Sequence, residues 1–222
     1  RDFRPFCLVS FNYPANILGR VVSPFVAIPN VVTSIRNEYL GGHGRELALK
    51  YTDSLGDFTV TNSKNARDSL VQRGVCAPNR TGVIYNGLDI SKYRSCDAKR
   101  SRARRALNVA DGEFLWLAVG SLTPQKGFKY LLRAAAQCRE HTNNYSFSLR
   151  IAGQGPELAR LKRQLTRAGL GNCVDFLGLR SDIQELLSGA DGFVISSVWE
   201  GLPNVLIEAL AAKVPVAATR VG

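Results

Sequence analysis

The sequence has no apolar run long enough to cross a bilayer and no layout of a secretory leader at its start. Its five cysteines (Cys7, Cys76, Cys96, Cys138 and Cys173) are odd in number and contain no C-x-x-C pair. That argues against a zinc site or a disulfide framework and favours a reducing compartment. There is no G-x-x-x-x-G-K-[ST] loop, which argues against a P-loop NTPase, and no D-x-D pair to hold a divalent metal. Acidic residues are scarce as well: 18 against 29 lysines and arginines leave a net charge of +11. Such a balance points to anionic partners, namely nucleotides, a membrane surface or nucleic acid. No helix-turn-helix, zinc-finger or RNA-binding signature accompanies the charge, so nucleic acid is set aside.

What is present is an alternation of short β-branched runs with amphipathic ones, the rhythm of parallel βαβ units. With 45% hydrophobic residues over 222 positions, the chain can bury one large core or two small ones. In the first part, strands are expected at 5–11, 31–35, 58–62 and 81–85. Helices are expected from Pro14, over 43–55, and over 63–73 with Ser63 as N-cap. Strand 31–35 runs into Arg36, Asn37 and Glu38, where a parallel strand presents ligand-facing groups. Residues 86–112 read as a boundary. Asn86-Gly87 signals a turn, and five basic residues follow between Lys99 and Arg105, read as the solvated face of a linker helix. From residue 114, strands 114–120, 146–153, 173–178, 192–198 and 214–219 alternate with helices 127–140, 156–168 and 181–190. Phe128, Leu131, Leu132, Ala135 and Cys138 share one face of helix 127–140. The domains are thus 1–90, a basic linker 91–112, and 113–222. The chain opens on Arg1 and stops just after a strand, so its true start and final elements are expected to be missing. Asn79-Arg80-Thr81 and Asn144-Tyr145-Ser146 have the form of glycosylation sequons and are read as chance.

The stretch E-G-L-P-N-V-L-I-E, 200–208, is the pivot. It lies between a buried strand and an apolar helix, and so reads as a strand-to-helix turn. Gly201 permits close backbone approach, and Pro203 suits the first helical turn. A helix N-terminus so entered offers free N–H groups and a positive dipole end to an anion. Glu200 is expected just outside the helix and Glu208 about two turns in, both able to accept hydrogen bonds from hydroxyls. G-S-L-T-P-Q-K-G, 120–127, is a glycine-bounded loop whose Lys126 can reach a phosphate as a point charge. G-Q-G-P, 153–156, has Leu158 where a dinucleotide fingerprint needs its third glycine, and is a turn. Gly120, Gly153, Gly178 and Glu200 fall just past strand carboxyl ends, the ligand edge of an open parallel sheet.

In order, V-I-Y-N-G-L-D, V-G-S-L-T-P-Q-K-G-F, L-R-I-A-G-Q-G-P, V-D-F-L-G, E-G-L-P-N-V-L-I-E-A and A-A-T-R-V-G resemble the retaining glycosyltransferases of family 4. The resemblance spans 81–222. Residues 1–80 match more loosely, best at T-N-S-K-N-A-R-D-S-L-V-Q-R-G. It implies an α/β, GT-B type fold of two Rossmann-like domains with parallel sheets, both incomplete here. It implies transfer of a sugar from a UDP- or GDP-linked donor to a hydroxyl of a glycan or lipid-linked acceptor, with retention and with no metal or cofactor. Glu200 would hydrogen-bond the transferred sugar near the reacting carbon, positioning it, and Glu208 would bind the ribose. Gly201, Leu202, Pro203 and Asn204 would cradle the sugar and diphosphate, with Gly120, Ser121 and Lys126 at the phosphates. Phe176, Leu177 and Gly178 would meet the base, and Arg36 and Asn37 would lie on the acceptor side. A cytoplasmic protein touching the membrane's inner face, engaged in cell-surface glycan or glycolipid synthesis, is the biological corollary.

Two departures stand out. Ser121 replaces the family's common arginine, a charge that Arg180 would have to supply. Ile35 and Arg36 stand where a histidine often follows the strand; His43 and His141 fit neither position. With the start of one domain and the end of the other expected to be missing, weak donor binding and little transfer follow. Two other readings stay open: a nucleotide-sugar epimerase of the same architecture, and a non-catalytic nucleotide-sugar-binding fragment.

Overall fold

The computed structural model describes residues 4–26, 28–93, 95–141 and 146–221, so Asn144 and Tyr145 of the second sequon lie outside the described residues. Two compact units form. One contains the chain up to Gly87 with Trp199–Leu202, and the other contains Leu88–Val198 with Pro203–Val221.

The first unit runs β1 (Cys7–Phe11), α1 (Tyr13–Val22), β2 (Asn30–Ile35), α2 (His43–Thr52), β3 (Phe58–Thr61), α3 (Lys64–Gln72) and β4 (Thr81–Val83). Its strands pair in parallel in the order β1-β2-β3-β4. Pro14 sits in the first turn of α1, where a missing N–H costs nothing. Ser63 caps α3 by accepting the Ala66 N–H at 3.1 Å. The helix expected over 43–55 divides, with residues 53–55 tightening into a 3-10 turn. Beneath this sheet the packing is polar. Arg20, fully buried, donates to Thr33 Oγ1 and Thr59 Oγ1 at 2.9 Å each, to the Leu49 carbonyl at 3.0 Å and to Asp53 at 3.2 Å. A smaller apolar cluster of Ile35, Leu49, Leu70, Val75 and Cys76 adjoins it.

The second unit runs α4 (Asp97–Ala106), β5 (Phe114–Val119), α5 (Phe128–His141), β6 (Phe147–Ala152), α6 (Leu158–Arg167), β7 (Val174–Gly178), α7 (Ile183–Gly189), β8 (Gly192–Ile195), α8 (Asn204–Ala211) and β9 (Val216–Ala218). The parallel sheet has the order β7-β6-β5-β8-β9. Strand succession therefore reverses direction between β5 and β8, which is a topological switch point. Both faces are apolar. Leu115, Leu117, Ala152, Phe193 and Ile195 pack on one side with Leu186, Leu187 and Ala209. Ala118, Leu149, Ile151 and Val174 pack on the other with Leu131, Leu132 and Leu161. Double burial of this kind is what selects near-continuous apolar strands.

Several boundaries move for identifiable reasons. Strand β8 stops at Ile195, and the Val198 N–H turns to the Gln125 carbonyl (2.7 Å). Helix α8 starts at Asn204 because Pro203, at ψ 125°, is extended and serves as N-cap. Glu208 is consequently a little over one turn into the helix, not two. Cys138, on the apolar stripe by spacing, is exposed in the last turns of α5. Residues 95–112 of the stretch read as a linker are packed within the second unit. Helix α4 lies so close to α7 that a Cβ on Gly189 would come 2.9 Å from Ala103 Cβ. Arg100 and Arg104 of its basic run pair with Asp191, and Arg104 also donates to the Ala110 and Glu113 carbonyls. That face is not simply solvated: Arg104 is buried because Asp191 and two carbonyls satisfy its guanidinium.

Candidate functional site

At the carboxyl edge of the second sheet, three glycines form a floor without side chains. The Gly153 N–H donates to the Gly178 carbonyl (2.7 Å), and the Gly120 N–H donates to the Ala152 carbonyl (3.0 Å). A Cβ on Gly153 would fall 1.9 Å from the Gly120 oxygen, and Gly153 holds φ +151°. No other residue fits that position. Over the floor lies a cavity of about 430 Å³ whose lining includes Gly120, Ser121, Gly153, Leu179, Arg180 and Ile183. Phe176 and Leu177, half-buried on β7, point to opposite apolar layers, and Gly178 turns the chain at φ +69°. Ser121 is exposed at the rim.

Lys126 is placed by the loop itself. Pro124–Lys126 form a 3-10 turn closed by Gly127 in the left-handed region. A Cβ there would meet the Ser196 oxygen at 2.0 Å. Ser196 Oγ donates to the Lys126 carbonyl (2.9 Å), which pins the loop after β5 to the loop after β8. The lysine methylenes cover Gly120, so that a Cβ there would be 3.4 Å from Lys126 Cγ and Cδ. The positive side chain is thus fixed at the switch point. Arg180 is less available than its position in sequence implied. Asp182 takes its guanidinium on both oxygens, at 2.8 and 2.5 Å, and this pairing pushes the Arg180 pKa up and the Asp182 pKa down. It makes a poor replacement for an arginine at position 121.

Pro203, the N-cap of α8, makes no side-chain cap hydrogen bond to the helix that Asn204 opens. One turn further, Glu208 is half-buried on the side facing the turn Ile90–Tyr93. Burial pushes the Glu208 carboxyl up, and a hydrogen bond from the Tyr93 hydroxyl pulls it partly back. Tyr93, itself buried, also accepts a hydrogen bond from Gln184 of α7. Neither Tyr93 nor Gln184 was expected from sequence. An aromatic four residues after Asp89, alone in a polar stretch, was the available signal.

The first unit holds the remaining expected residues. Arg36 Nη2 donates to Asn86 Oδ1 (2.6 Å), and Asn86 Nδ2 donates to the Leu202 carbonyl (2.9 Å). A Cβ on Gly201 would come 2.1 Å from the Arg36 carbonyl oxygen, so the glycine is needed for close backbone approach. The Asn62 amide, oriented to satisfy both neighbours, donates to the Arg36 carbonyl at 3.1 Å and accepts the Leu202 N–H at 3.3 Å. The Tyr39 and Trp199 rings meet at 4.9 Å. Glu200 is buried at 6% exposure. Asn37 is exposed beside Arg36. Arg36, Gly201 and Leu202 are therefore brought together, through Asn62 and Asn86, which sequence reasoning did not select. The Leu202 N–H already has a partner in Asn62, unlike the free donor expected at that position. Among the described residues, no group of three or more His, Cys, Asp or Glu side chains is arranged to hold a metal ion. No described helix is long and apolar enough to cross a membrane.

Two Rossmann-like parallel sheets make this the GT-B fold, which the chain shares with similar glycosyltransferase structures. Residues 99–222 match the family of glycosyl transferases group 1, and the chain belongs to that family. It is 27% identical over 207 residues to the UDP-Gal:alpha-D-GlcNAc-diphosphoundecaprenol alpha-1,3-galactosyltransferase of Escherichia coli, covering 90% of this chain and 54% of that protein. An uncharacterized glycosyltransferase of Methanocaldococcus jannaschii, MJ1607, is 33% identical over 167 residues, 73% of this chain and 42% of that one. The crystal structure of Anabaena Alr3699/HepE in complex with UDP and glucose superposes with a TM-score of 0.84 at 28% identity, covering 96% of this chain and 59% of that one. The chain thus spans about half the length of the curated relatives it matches.

Proposed function

We propose that the second unit is the donor site of a retaining glycosyltransferase of family 4, which moves a hexose from a UDP-sugar to an acceptor hydroxyl in cell-surface polysaccharide or glycolipid synthesis. The observation that carries the reading is the Lys126 side chain packed against Gly120 at the rim of the Gly120–Gly153 cavity, with the Pro203-entered start of α8 and Glu208 in the same unit. A diphosphate needs positive charge and N–H donors where charge builds up as it departs, and a lysine and a helix N-terminus supply both. Donor binding then needs no metal, in keeping with the absence of a D-x-D pair in the sequence. Gly120, Ser121, Pro203 and Asn204 would line the phosphate path, Phe176, Leu177 and Gly178 the base, and Glu208 the ribose diol. UDP is favoured because a similar structure holds it and a relative's name specifies UDP-Gal.

In the reaction, the acceptor oxygen forms a bond to the anomeric carbon while the bond from that carbon to the diphosphate oxygen breaks. The bonding pair leaves with the diphosphate, and the acceptor proton passes to the departing phosphate oxygen. Delivery on the face that the diphosphate vacates gives retention. Glu200, with Gly201 and Leu202 beside it, holds the transferred sugar, and Arg36 and Asn37 face the acceptor. No cofactor takes part.

Residence in the cytoplasm, with peripheral contact to an anionic membrane, completes the proposal. Relatives are named for diphosphoundecaprenol acceptors, and a groove of about 830 Å³ between α5 and α6 is lined by Arg133, Arg160, Arg163 and Arg167. Only Arg160 among the four has a carboxylate partner among the described residues, Glu157 at 3.2 Å. Sedimentation with phosphatidylglycerol vesicles, lost on Arg163→Glu/Arg167→Glu, tests this contact. Thermal shift of the chain with UDP, GDP and ADP tests the donor site. Stabilisation by UDP, abolished in Lys126→Ala and Glu208→Ala, is expected. A cooperatively folded chain indifferent to all three nucleotides would overturn the reading.

A further inference from the structure

In the first unit, Arg20, Arg67, Arg73 and Arg80 each pair with a carboxylate, namely Asp53, Asp68, Glu46 and again Asp53. Arg36 is also held by hydrogen bonds, yet it meets no acid among the described residues. Its Nη2 donates to Asn86 Oδ1 at 2.6 Å. That amide is itself fixed, with Nδ2 donating to the Leu202 carbonyl at 2.9 Å. At the backbone end, the Arg36 carbonyl accepts from the Asn62 amide at 3.1 Å. It also lies so close to Gly201 that a Cβ there would come within 2.1 Å of its oxygen. Backbone and guanidinium are therefore both anchored, while the charge stays exposed and unneutralised. A neutral amide orients a cation without cancelling it, and the guanidinium keeps further N–H donors for a ligand. Asn37 is exposed beside it, and further along the loop the exposed Tyr39 ring meets Trp199, which precedes Glu200.

We propose that Arg36 anchors a phosphate on the acceptor, with Asn86 as its positioning residue, so that the acceptor is of the phosphorylated class. This rests on the acceptor-side reading of Arg36 given above. The physical reason is preorganisation. A planar fork that is already aimed loses little side-chain freedom when it takes phosphate oxygens. An acid in place of Asn86 would hold the guanidinium equally well and cancel the charge that a phosphate needs. A lipid diphosphate and a soluble sugar phosphate present the same oxygens to such a fork.

The test uses this chain with Trp116→Phe, which leaves Trp199 as the sole tryptophan. Trp199 fluorescence is titrated with glucose 1-phosphate, farnesyl diphosphate and glucose. Both phosphorylated probes should change the signal saturably, and glucose should not at the same concentrations. Arg36→Gln should weaken both by about tenfold or more, the range of lost hydrogen bonds to a charged group. Arg36→Lys, which keeps the charge and loses the fork, should fall between. Asn86→Asp keeps the side-chain shape beside Arg36 but neutralises it, and should weaken both phosphorylated probes as Arg36→Gln does. No saturable change with either phosphorylated probe overturns the inference. So does binding that survives both Arg36→Gln and Asn86→Asp, or that is lost only in Lys126→Ala. Tighter binding of farnesyl diphosphate assigns the lipid source and tighter binding of glucose 1-phosphate the soluble one; the anchor stands in either case. If UDP stabilises the chain while the phosphorylated probes ignore Arg36→Gln, the inference falls alone. If UDP leaves the chain unstabilised, the transferase reading falls and the inference with it.

Discussion

Beneath its sheet, the first unit places a charged guanidinium; the second fills both faces with leucine, isoleucine, phenylalanine and alanine. In the first, β2 and β3 carry Thr33 and Thr59 inward, and their hydroxyls accept hydrogen bonds from Arg20. Burial lowers the Arg20 pKa, and the Asp53 charge opposes that shift. Nearby, burial and then the Asp53 charge push the Cys76 thiol up to about 11, so it is an inert thiol at neutral pH. In the second unit, Leu115, Leu117, Ile151 and Phe193 are wholly excluded from water and need no partner direction. Directional packing holds only while every partner is present, whereas apolar packing loses stability in proportion to what is removed. The first unit is therefore the more brittle of the two.

Substitutions can break that contrast. Arg20→Ala should have the largest effect, destabilising the first unit by about 3–5 kcal/mol, because it breaks a buried ion pair, leaving Asp53 only its Arg80 pairing, and takes the donor from Thr33, Thr59 and the Leu49 carbonyl. Denaturant unfolding followed by circular dichroism should show an early transition, while Trp116 of the second unit reports a late one. A single shared transition would contradict independent behaviour. Leu117→Ala, deep in the second sheet, should cost about 2–5 kcal/mol and move the Trp116 signal instead. Ser63→Ala removes a cap from the first unit and should cost only about 1 kcal/mol, a loss without a buried orphan charge.

A smaller effect concerns pH. Burial raises the Asp191 pKa, but the Leu115 N–H and the Arg100 and Arg104 guanidiniums outweigh it, so the group ends below its ordinary value of 3.8. An acid whose folded pKa is depressed adds stability above its unfolded pKa, and that stability disappears as pH falls through the folded one. The late transition should thus weaken below about pH 4, and Asp191→Asn should abolish that dependence. An Asp191→Asn curve parallel to the unaltered chain would assign the acid response elsewhere.

Much of this was legible beforehand. The α/β alternation, every strand of both sheets and the Ser63 cap follow from periodicity and capping chemistry, which act over a few residues. So did the glycines at 120, 153 and 178, since a strand-end glycine marks a turn whatever it packs against. The role of the basic run in 91–112 was not legible. Its partner Asp191 lies more than eighty residues away, and a charge run has no local signature for being buried. Tyr93 escaped for the same reason, because its partners Gln184 and Glu208 come from two distant helices. Arg20 was invisible too: a helix pattern cannot tell an inward arginine from an outward one until the facing strands supply hydroxyls.

The sequence by itself determined the order of elements, the parallel sheets they must form and the glycine-marked sheet edge, because backbone sterics and apolar period are local properties. Only the tertiary structure decided which charges are spent within the fold. Arg104 and Arg180 are engaged by Asp191 and Asp182, and the Lys126 methylenes lie against Gly120. Electrostatic pairing depends on distance through space, and distance through space is what a linear sequence does not contain.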